Sequence, residues 1–274
     1  MNPEEKKRPP WLCGASFLLE SGLERAEAIA YEFLQPGYVH RAIRWTGGCG
    51  LMKAEDWIGL RKLCDGFVLA GEYALGHHLL GGTRMRGYWT PDQIIPGITE
   101  VPVWVRDQLE TGMRLYGITP RIQEPLVNDR FGTIVSVDED KEHPYGGYFT
   151  TLRGDVDVLL YYQASANHEA KYDDERKRAI DIVDRLVSRD WPALLVSYNG
   201  GGVTKREILH WCDRLAHSPT WQARARVLLI KDSGRVSSEL ASDEAFLANN
   251  PWVIVSSSEP EEIAHCLRER PQPA

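Results

Sequence analysis

The glycine-rich segment at residues 199–204 has the residue types and spacing that best fit ligand chemistry. It follows the apolar run Ala193–Ser197 and precedes a stretch with helical periodicity, and it reads Asn199, Gly200, Gly201, Gly202, Val203, Thr204. Glycines let a ligand approach the backbone closely, and the first amides of a helix lack intrahelical partners at the positive end of the helix dipole. The segment therefore predicts a phosphate site at the carboxyl end of a strand.

Three further glycine turns follow predicted strands, and in a parallel sheet all four would meet along one edge. Arg84 and Arg235 offer planar forks of donors to a phosphate, and Lys231 offers a point charge. Besides residues 199–204, the predicted ligand-binding residues are Gly47, Gly48, Cys49, Gly81, Gly82, Thr83, Arg84, Lys231, Ser233, Gly234 and Arg235.

Plainer interpretations exist for the same residues. A glycine triplet is compatible with a tight strand-to-helix turn that binds nothing. The spacing from Thr204 to Glu207 also matches a capping box, in which Glu207 would bond only the backbone of Thr204. The adjacent residues His77 and His78 would point apart on a strand, so they do not suit a shared metal, and no metal site is predicted.

Short apolar runs alternate with amphipathic stretches along the chain, which predicts an α/β fold. We expect a Rossmann-like, doubly wound and mainly parallel sheet with helices on both faces. The predicted strands are Ala42–Thr46, Leu79–Gly81, Thr133–Val137, Val156–Tyr162, Ala193–Tyr198, Arg226–Lys231 and Trp252–Val255. The predicted helices are Asp56–Tyr73, Asp173–Ser188, Lys205–Ala216 and Glu259–Glu269, with a short helix opening at Thr90.

The length of 274 residues with 43% hydrophobic side chains is enough for one large core. We expect a flexible arm at residues 1–11, a single domain over residues 12–269 and a tail at residues 270–274. Residues 84–130 contain five prolines and no sustained period, which predicts an irregular insertion or a lid.

Charge and cysteine usage narrow the function classes. The net charge of −7 disfavours long nucleic acid as a partner, because phosphate-backbone binding needs a basic surface. The five cysteines are odd in number and form no Cys-x-x-Cys pair, as in a reduced cytoplasmic protein. No apolar run is long enough for a signal peptide or a bilayer span, so no membrane partner is expected.

The order and spacing of the glycine motifs resemble the SLOG superfamily. The motifs are Gly-Gly-Thr at 81–83, Asn-Gly-Gly-Gly-x-Thr-x-x-Glu at 199–207 and Asp-Ser-Gly-Arg at 232–235, and together they cover about Arg41 to Val255. The chain is most similar to the prokaryotic branch related to the N-terminal ligand-sensing region of TRPM channels. The resemblance implies a sensor of ADP-ribose or cyclic ADP-ribose type nucleotides, often in anti-phage defence. It implies no further cofactor, and an output through a homo-oligomer or a separate effector.

Two alternatives stay open. The LOG-type phosphoribohydrolases resemble the chain at the same loop, and their motif Pro-Gly-Gly-x-Gly-Thr-x-x-Glu aligns with Asn199 through Glu207. That likeness implies cleavage of a nucleotide N-glycosidic bond with Glu207 as the catalytic residue. Asn199 replaces the proline of the motif, and Val203 replaces its last glycine. The second alternative is a scaffold with a degenerate pocket.

Overall fold

The computed structural model describes residues 16–19, 37–48, 52, 54–87, 94–110, 112–120, 126–128, 132–136, 148–153, 155–162 and 168–269. The predicted arm at residues 1–11, the tail at 270–274, the short helix at Thr90 and the predicted site residue Cys49 lie outside these ranges. No helix among the described residues is long and apolar enough to span a bilayer.

An eight-stranded sheet forms the centre of the fold, and every neighbouring pair in it is parallel. Its order is β1-β10-β6-β3-β2-β11-β12-β13. The strands are β1 (Ser16–Leu19), β2 (Ala42–Gly47), β3 (Gly76–Gly81), β6 (Met113–Pro120), β10 (Val158–Tyr162), β11 (Ala193–Tyr198), β12 (Ala225–Ile230) and β13 (Val253–Ser256). Parallel strands buried on both faces read as near-continuous apolar runs, and β11 is buried at all six positions.

Helices cover both faces of this sheet, as predicted. One face carries α1 (Ala54–Ala70), α2 (Val101–Leu109) and α8 (Pro260–Glu269), and the other carries α3 (His168–Val187), α4 (Gly202–His217), α5 (Pro219–Arg224) and α6 (Arg235–Ala241). A further short helix, α7 (Glu244–Asn249), precedes β13. Alternate residues of β11 divide between the two cores, with Leu195 on the α3–α4 face and Val196 on the other.

A second sheet of five antiparallel strands branches from the first. Its order is β5-β4-β9-β8-β7, with β4 (Thr83–Gly87), β5 (Ile94–Ile95), β7 (Leu126–Asn128), β8 (Gly132–Ser136) and β9 (Tyr148–Leu152). The strand predicted at Thr133–Val137 therefore exists as β8, but it lies in this antiparallel sheet. The interval at residues 84–130, predicted to be irregular, contains α2 and the central strand β6, so the prediction missed two elements of the main layer.

Candidate functional site

The order of the strands creates a switch point between β2 and β11. After β2 the chain adds β3, β6 and β10 on one side, and after β11 it adds β12 and β13 on the other. Connections that leave in opposite directions open a crevice at the carboxyl ends of the two strands, where open α/β sheets bind ligands. Gly47 and Tyr198 are partners at these ends, and the Gly48 amide donates to the Tyr198 carbonyl at 3.3 Å. Two of the predicted glycine turns thus meet at the switch point.

The loop after β11 has a backbone that matches its residues. Asn199 and Gly200 have φ angles of 59° and 95°, in the left-handed region that asparagine and glycine tolerate best. A methyl group on Gly200 would lie 2.5 Å from the Thr204 side chain, so a larger residue is excluded there. Gly201 is extended, and α4 begins at Gly202, which is exposed.

The start of α4 presents free amide donors. Gly201 caps the helix without a side-chain bond, and the first bond from this turn runs from the Lys205 amide to the Gly201 carbonyl at 2.9 Å. The amides of Gly202, Val203 and Thr204 donate to no acceptor within the described part of the chain. Gly202 is exposed, Val203 is half-buried and Thr204 is buried, so an anion would approach these donors at the positive end of the helix dipole from Gly202.

The capping box that the spacing from Thr204 to Glu207 allows does not form. Thr204 lies inside the first turn of α4, and the carboxylate of Glu207 accepts a hydrogen bond from Arg44 Nε at 2.8 Å. The glycine loop brings the chain into the helix one turn earlier than a Thr204 cap would require. Glu207 is therefore turned towards the sheet, and its side chain is only 1% exposed.

Asn199 joins this loop to the turn after β12. Its amide donates to Ser233 Oγ at 2.8 Å and its Nδ2 donates to the Ser233 carbonyl at 2.9 Å, while its own Oδ1 accepts from the Gly200 amide. The Asn199 carbonyl accepts from the amide and the hydroxyl of Ser237. A proline here could neither donate from its nitrogen nor adopt a positive φ, which explains the departure from the LOG-type motif. Ser233 is buried by this bracing.

The turn after β12 places a cation beside the glycine loop. Arg235 is exposed, and a methyl group on Gly201 would lie 2.9 Å from its Nη2 atom. Arg206 lies on the other side of the helix start, with Nη1 3.7 Å from a methyl group on Gly202. Lys231 is half exposed and stands 3.9 Å from Glu262. Gly234, with φ of 83°, lets the chain turn between Ser233 and Arg235.

The predicted ligand-binding segment at residues 81–84 has a different environment from that of the turns at the switch point. Gly81 ends β3, and the chain passes straight into β4 rather than into a helix. Gly82 donates its amide to the Ile118 carbonyl at 2.7 Å. Arg84 is held by Glu100 at 3.0 Å and by Asp155, and no hydrogen bond joins it to the other glycine turns among the described residues. Because its guanidinium bonds these carboxylates, Arg84 does not join Arg235 beside the glycine loop at residues 199–204.

A buried charged cluster, Arg44 with Glu175 and Glu207, lies on the α3–α4 face of the sheet. Arg44 Nη2 donates to Glu175 Oε1 at 3.1 Å, and Arg44 Nε donates to Glu207. Burial alone would lower the pKa of Arg44, but the two carboxylates outweigh burial and hold it above its ordinary value. Burial raises the pKa of Glu175, and the attraction of Arg44 opposes that rise only in part.

The sequence analysis did not select Arg44 and Glu175 as site residues, although each stands in a recognisable sequence pattern. Arg44 is a charged residue inside the buried strand β2, where charge is rare unless paired. Glu175 continues the buried stripe of α3 one turn before Ala179. Neither signal names the partner, because the bonded residues are 131 and 163 positions apart in the chain.

The two adjacent histidines are core residues on opposite sides of β3. His77 Nδ1 lies 3.0 Å from the Tyr116 hydroxyl, and His78 Nδ1 accepts from Trp45 Nε1 at 3.0 Å. Their side chains point apart, as the alternation of a strand requires. Within the ranges that the structure describes, no group of three or more His, Cys, Asp or Glu side chains could hold a metal ion.

Two of the solved structures that match this chain are molybdenum cofactor proteins. The molybdenum cofactor binding protein from the phototrophic bacterium Rippkaea orientalis has 13% identity and a TM-score of 0.41, covering 83% of this chain and 95% of its own. The molybdenum cofactor carrier protein from Chlamydomonas reinhardtii has 11% identity and a TM-score of 0.42, covering 84% and 97%. Similarity at this level carries no argument about the ligand of this chain. No family model and no curated protein matches it.

Proposed function

We propose that this chain binds a phosphate-bearing nucleotide at the switch point between β2 and β11 and acts as its sensor. The observation that carries the proposal is the amide row of Gly202, Val203 and Thr204, which bonds no described residue at a helix start whose first residue is exposed. A phosphate there would accept from these amides at the positive end of α4. Arg235, beside Gly201, would add a charged fork of donors.

The nucleotide class follows from the resemblance to the SLOG superfamily. We propose an ADP-ribose or cyclic ADP-ribose type of ligand, which in that family often carries a signal in anti-phage defence. The sensing output would pass through a homo-oligomer or a separate effector. We propose a cytoplasmic location for this sensor as well.

The geometry favours binding over hydrolysis. In the LOG-type alternative Glu207 would act on the sugar, but its carboxylate is 1% exposed and both of its oxygens face Arg44. A carboxylate neutralised by a buried guanidinium is poorly placed to stabilise a developing sugar cation. The bracing of Asn199 by Ser233 and Ser237 argues against a degenerate scaffold, because it holds an otherwise unfavourable backbone in place.

The proposal is tested by thermal unfolding and calorimetry with ADP-ribose, its cyclic isomers, NAD and nucleoside monophosphates. A ligand that binds only the native state should stabilise it by about 2.7 kcal/mol at a concentration of one hundred times Kd. Failure of all these compounds to stabilise the chain or to release heat would overturn the proposal.

Two variants locate the site. Gly201→Val keeps an allowed extended backbone but fills the space beneath Arg235, so we expect an intact fold and a loss of binding. Arg235→Gln should weaken binding by about tenfold to a hundredfold, because a charged hydrogen bond contributes about 1.5–3 kcal/mol. Arg178→Gln removes the same charge from α3, where Arg178 pairs with Asp181 at 3.9 Å, and it is the matched control. Equal effects of both arginine variants would place the ligand elsewhere.

A further inference from the structure

The charged cluster below the glycine loop leaves one strong donor group unused. Arginine has five N–H donors, and Arg44 directs Nε and Nη2 to the two glutamates. Its Nη1 is buried and has no hydrogen-bond partner among the residues that the structure describes. Buried polar groups in proteins are normally satisfied, so this guanidinium nitrogen indicates a partner that the described residues do not supply.

An unused acceptor belongs to the same cluster. Glu175 accepts from Arg44 through Oε1, and no described residue donates to its Oε2. The Glu175 side chain is 14% exposed, against 4% for Arg44 and 1% for Glu207, so a ligand would reach the cluster through Glu175.

The cluster lies where the end of the sheet meets the start of α4. A methyl group on Gly81, the last residue of β3, would lie 3.6 Å from Glu175 Oε1 and 3.9 Å from Oε2. Glu207 follows Gly202 by five residues of helix, which is about 7.5 Å along the axis. The free acceptor of Glu175 is thus at the same sheet edge as the amide row and is offset from it along α4.

We infer that Glu175 and Arg44 bind a ribose hydroxyl of the nucleotide whose phosphate lies on the 199–204 loop. The inference rests on the proposed function and adds the group that gives specificity. A hydroxyl both donates and accepts, so it can donate to Glu175 Oε2 and accept from Arg44 Nη1. Carboxylates recognise ribose hydroxyls in this way in dinucleotide-binding sheets.

Other ligand groups fit the cluster less well. Two carboxylates and one guanidinium leave a net negative charge, which would repel a second phosphate. A metal ion would be repelled by Arg44, which already holds both carboxylates. An apolar group would leave both the Nη1 donor and the Oε2 acceptor unpaired in a buried place.

The test is calorimetric binding of AMP, 2′-deoxy-AMP and 3′-deoxy-AMP to the full chain. We expect the native chain to bind AMP about tenfold or more tightly than at least one deoxy form, because the bond to a charged group is lost. Glu175→Gln keeps the shape and an oxygen for Arg44 but loses the carboxylate acceptor, so it should reduce the preference to about threefold or less. Glu269→Gln, at the exposed end of α8, is the matched control and should retain the preference.

Each remaining outcome decides a different point. Equal binding of AMP and both deoxy forms by the native chain overturns the ribose role and leaves phosphate binding intact. Binding of ADP-ribose without binding of AMP also overturns it, because the inference places phosphate and ribose of one nucleotide side by side. A preference that survives in Glu175→Gln assigns it to other residues. Failure of every nucleotide overturns the proposed function itself.

Discussion

Two buried arginines in this molecule have similar carboxylate partners and use them differently. Arg153 bonds Glu100 and Asp155, and its five N–H donors meet five acceptor contacts, the fifth being Thr99 Oγ1. Arg44 also bonds two carboxylates, but its Nη1 bonds none of the residues that the structure describes. We call the Arg153 network the closed network, because all of its guanidinium donors have acceptors. We call the Arg44 network the open network, because it could bond a further group.

The positions of the two networks match this difference. Arg153 follows β9 of the small sheet, and Glu100 lies in the 3-10 turn Ile98–Glu100 that leads into α2. Arg84 of β4 bonds the same Glu100. This network therefore joins the small sheet to the turn before α2 and to the segment before β10. The Arg44 network instead lies beside the switch point, where strand order opens the sheet edge. A saturated buried network indicates a structural role, and an unsaturated one beside a crevice indicates a functional role.

The largest expected effect comes from breaking the closed network. Arg153→Met leaves Glu100 and Asp155 facing one remaining guanidinium, that of Arg84, in a buried place. We expect a loss of about 3–5 kcal/mol in the free energy of unfolding, measured by chemical denaturation. Arg178→Met, which removes a partly exposed i,i+3 pair, should change the stability by about 0.5 kcal/mol or less. A comparable change in both variants would show that the Arg153 network contributes little.

A smaller effect is expected from the open network. Glu207→Gln weakens the bond to Arg44 Nε but leaves Glu175 as a carboxylate partner, so the free energy of unfolding should fall by about 1–3 kcal/mol. Denaturation of this variant beside Arg153→Met sharpens the comparison directly. A larger loss in Glu207→Gln than in Arg153→Met would reverse the roles assigned to the two networks.

The smallest expected effect is on the pH dependence of stability, which should have opposite signs for Asp155 and for Glu175. Burial would raise the pKa of Asp155, but Arg153 and Arg84 outweigh burial and lower it. Its stabilisation is present above about pH 3.9, the ordinary aspartate value, and is lost as pH falls through the lower folded-state pKa. Glu175 has a raised pKa, so its carboxyl loses stability as pH rises through that folded-state value.

Unfolding measured between acid and neutral pH checks this difference. Asp155→Asn should flatten the acid side of the stability curve, and Glu175→Gln should leave stability at neutral pH equal to or above that of the native chain. A clear loss of stability in Glu175→Gln at neutral pH would contradict the raised pKa.

Much of the main sheet could be predicted because its signals are local. Ala193–Tyr198 was predicted with the bounds that β11 has, since a continuous apolar run between glycine turns suits a strand covered on both faces. The missed helix α2 reads Val-Pro-Val-Trp-Val, whose β-branched residues favour strands. Its buried valines show that packing against the sheet overrode that propensity.

The candidate site could be predicted only where it depends on the backbone. Turns at Gly47–Gly48, residues 199–202 and residues 231–235 were selected for their glycines, and the structure brings them to one sheet edge. The segment at Arg84 was selected by the same rule, yet its arginine belongs to the closed network. Glycine content indicates what a backbone can do, and it does not indicate which charged side chains will be free.

By itself, the sequence determined most strands of the main sheet, the principal helices and the glycine turn that begins at Asn199, because each depends on neighbours within a few residues. Only the tertiary structure decided the order of the strands and hence the switch point between β2 and β11. It alone brought Glu175 and Glu207 to Arg44. Burial and charge pairing depend on contacts between distant parts of the chain, and a local pattern contains no record of them.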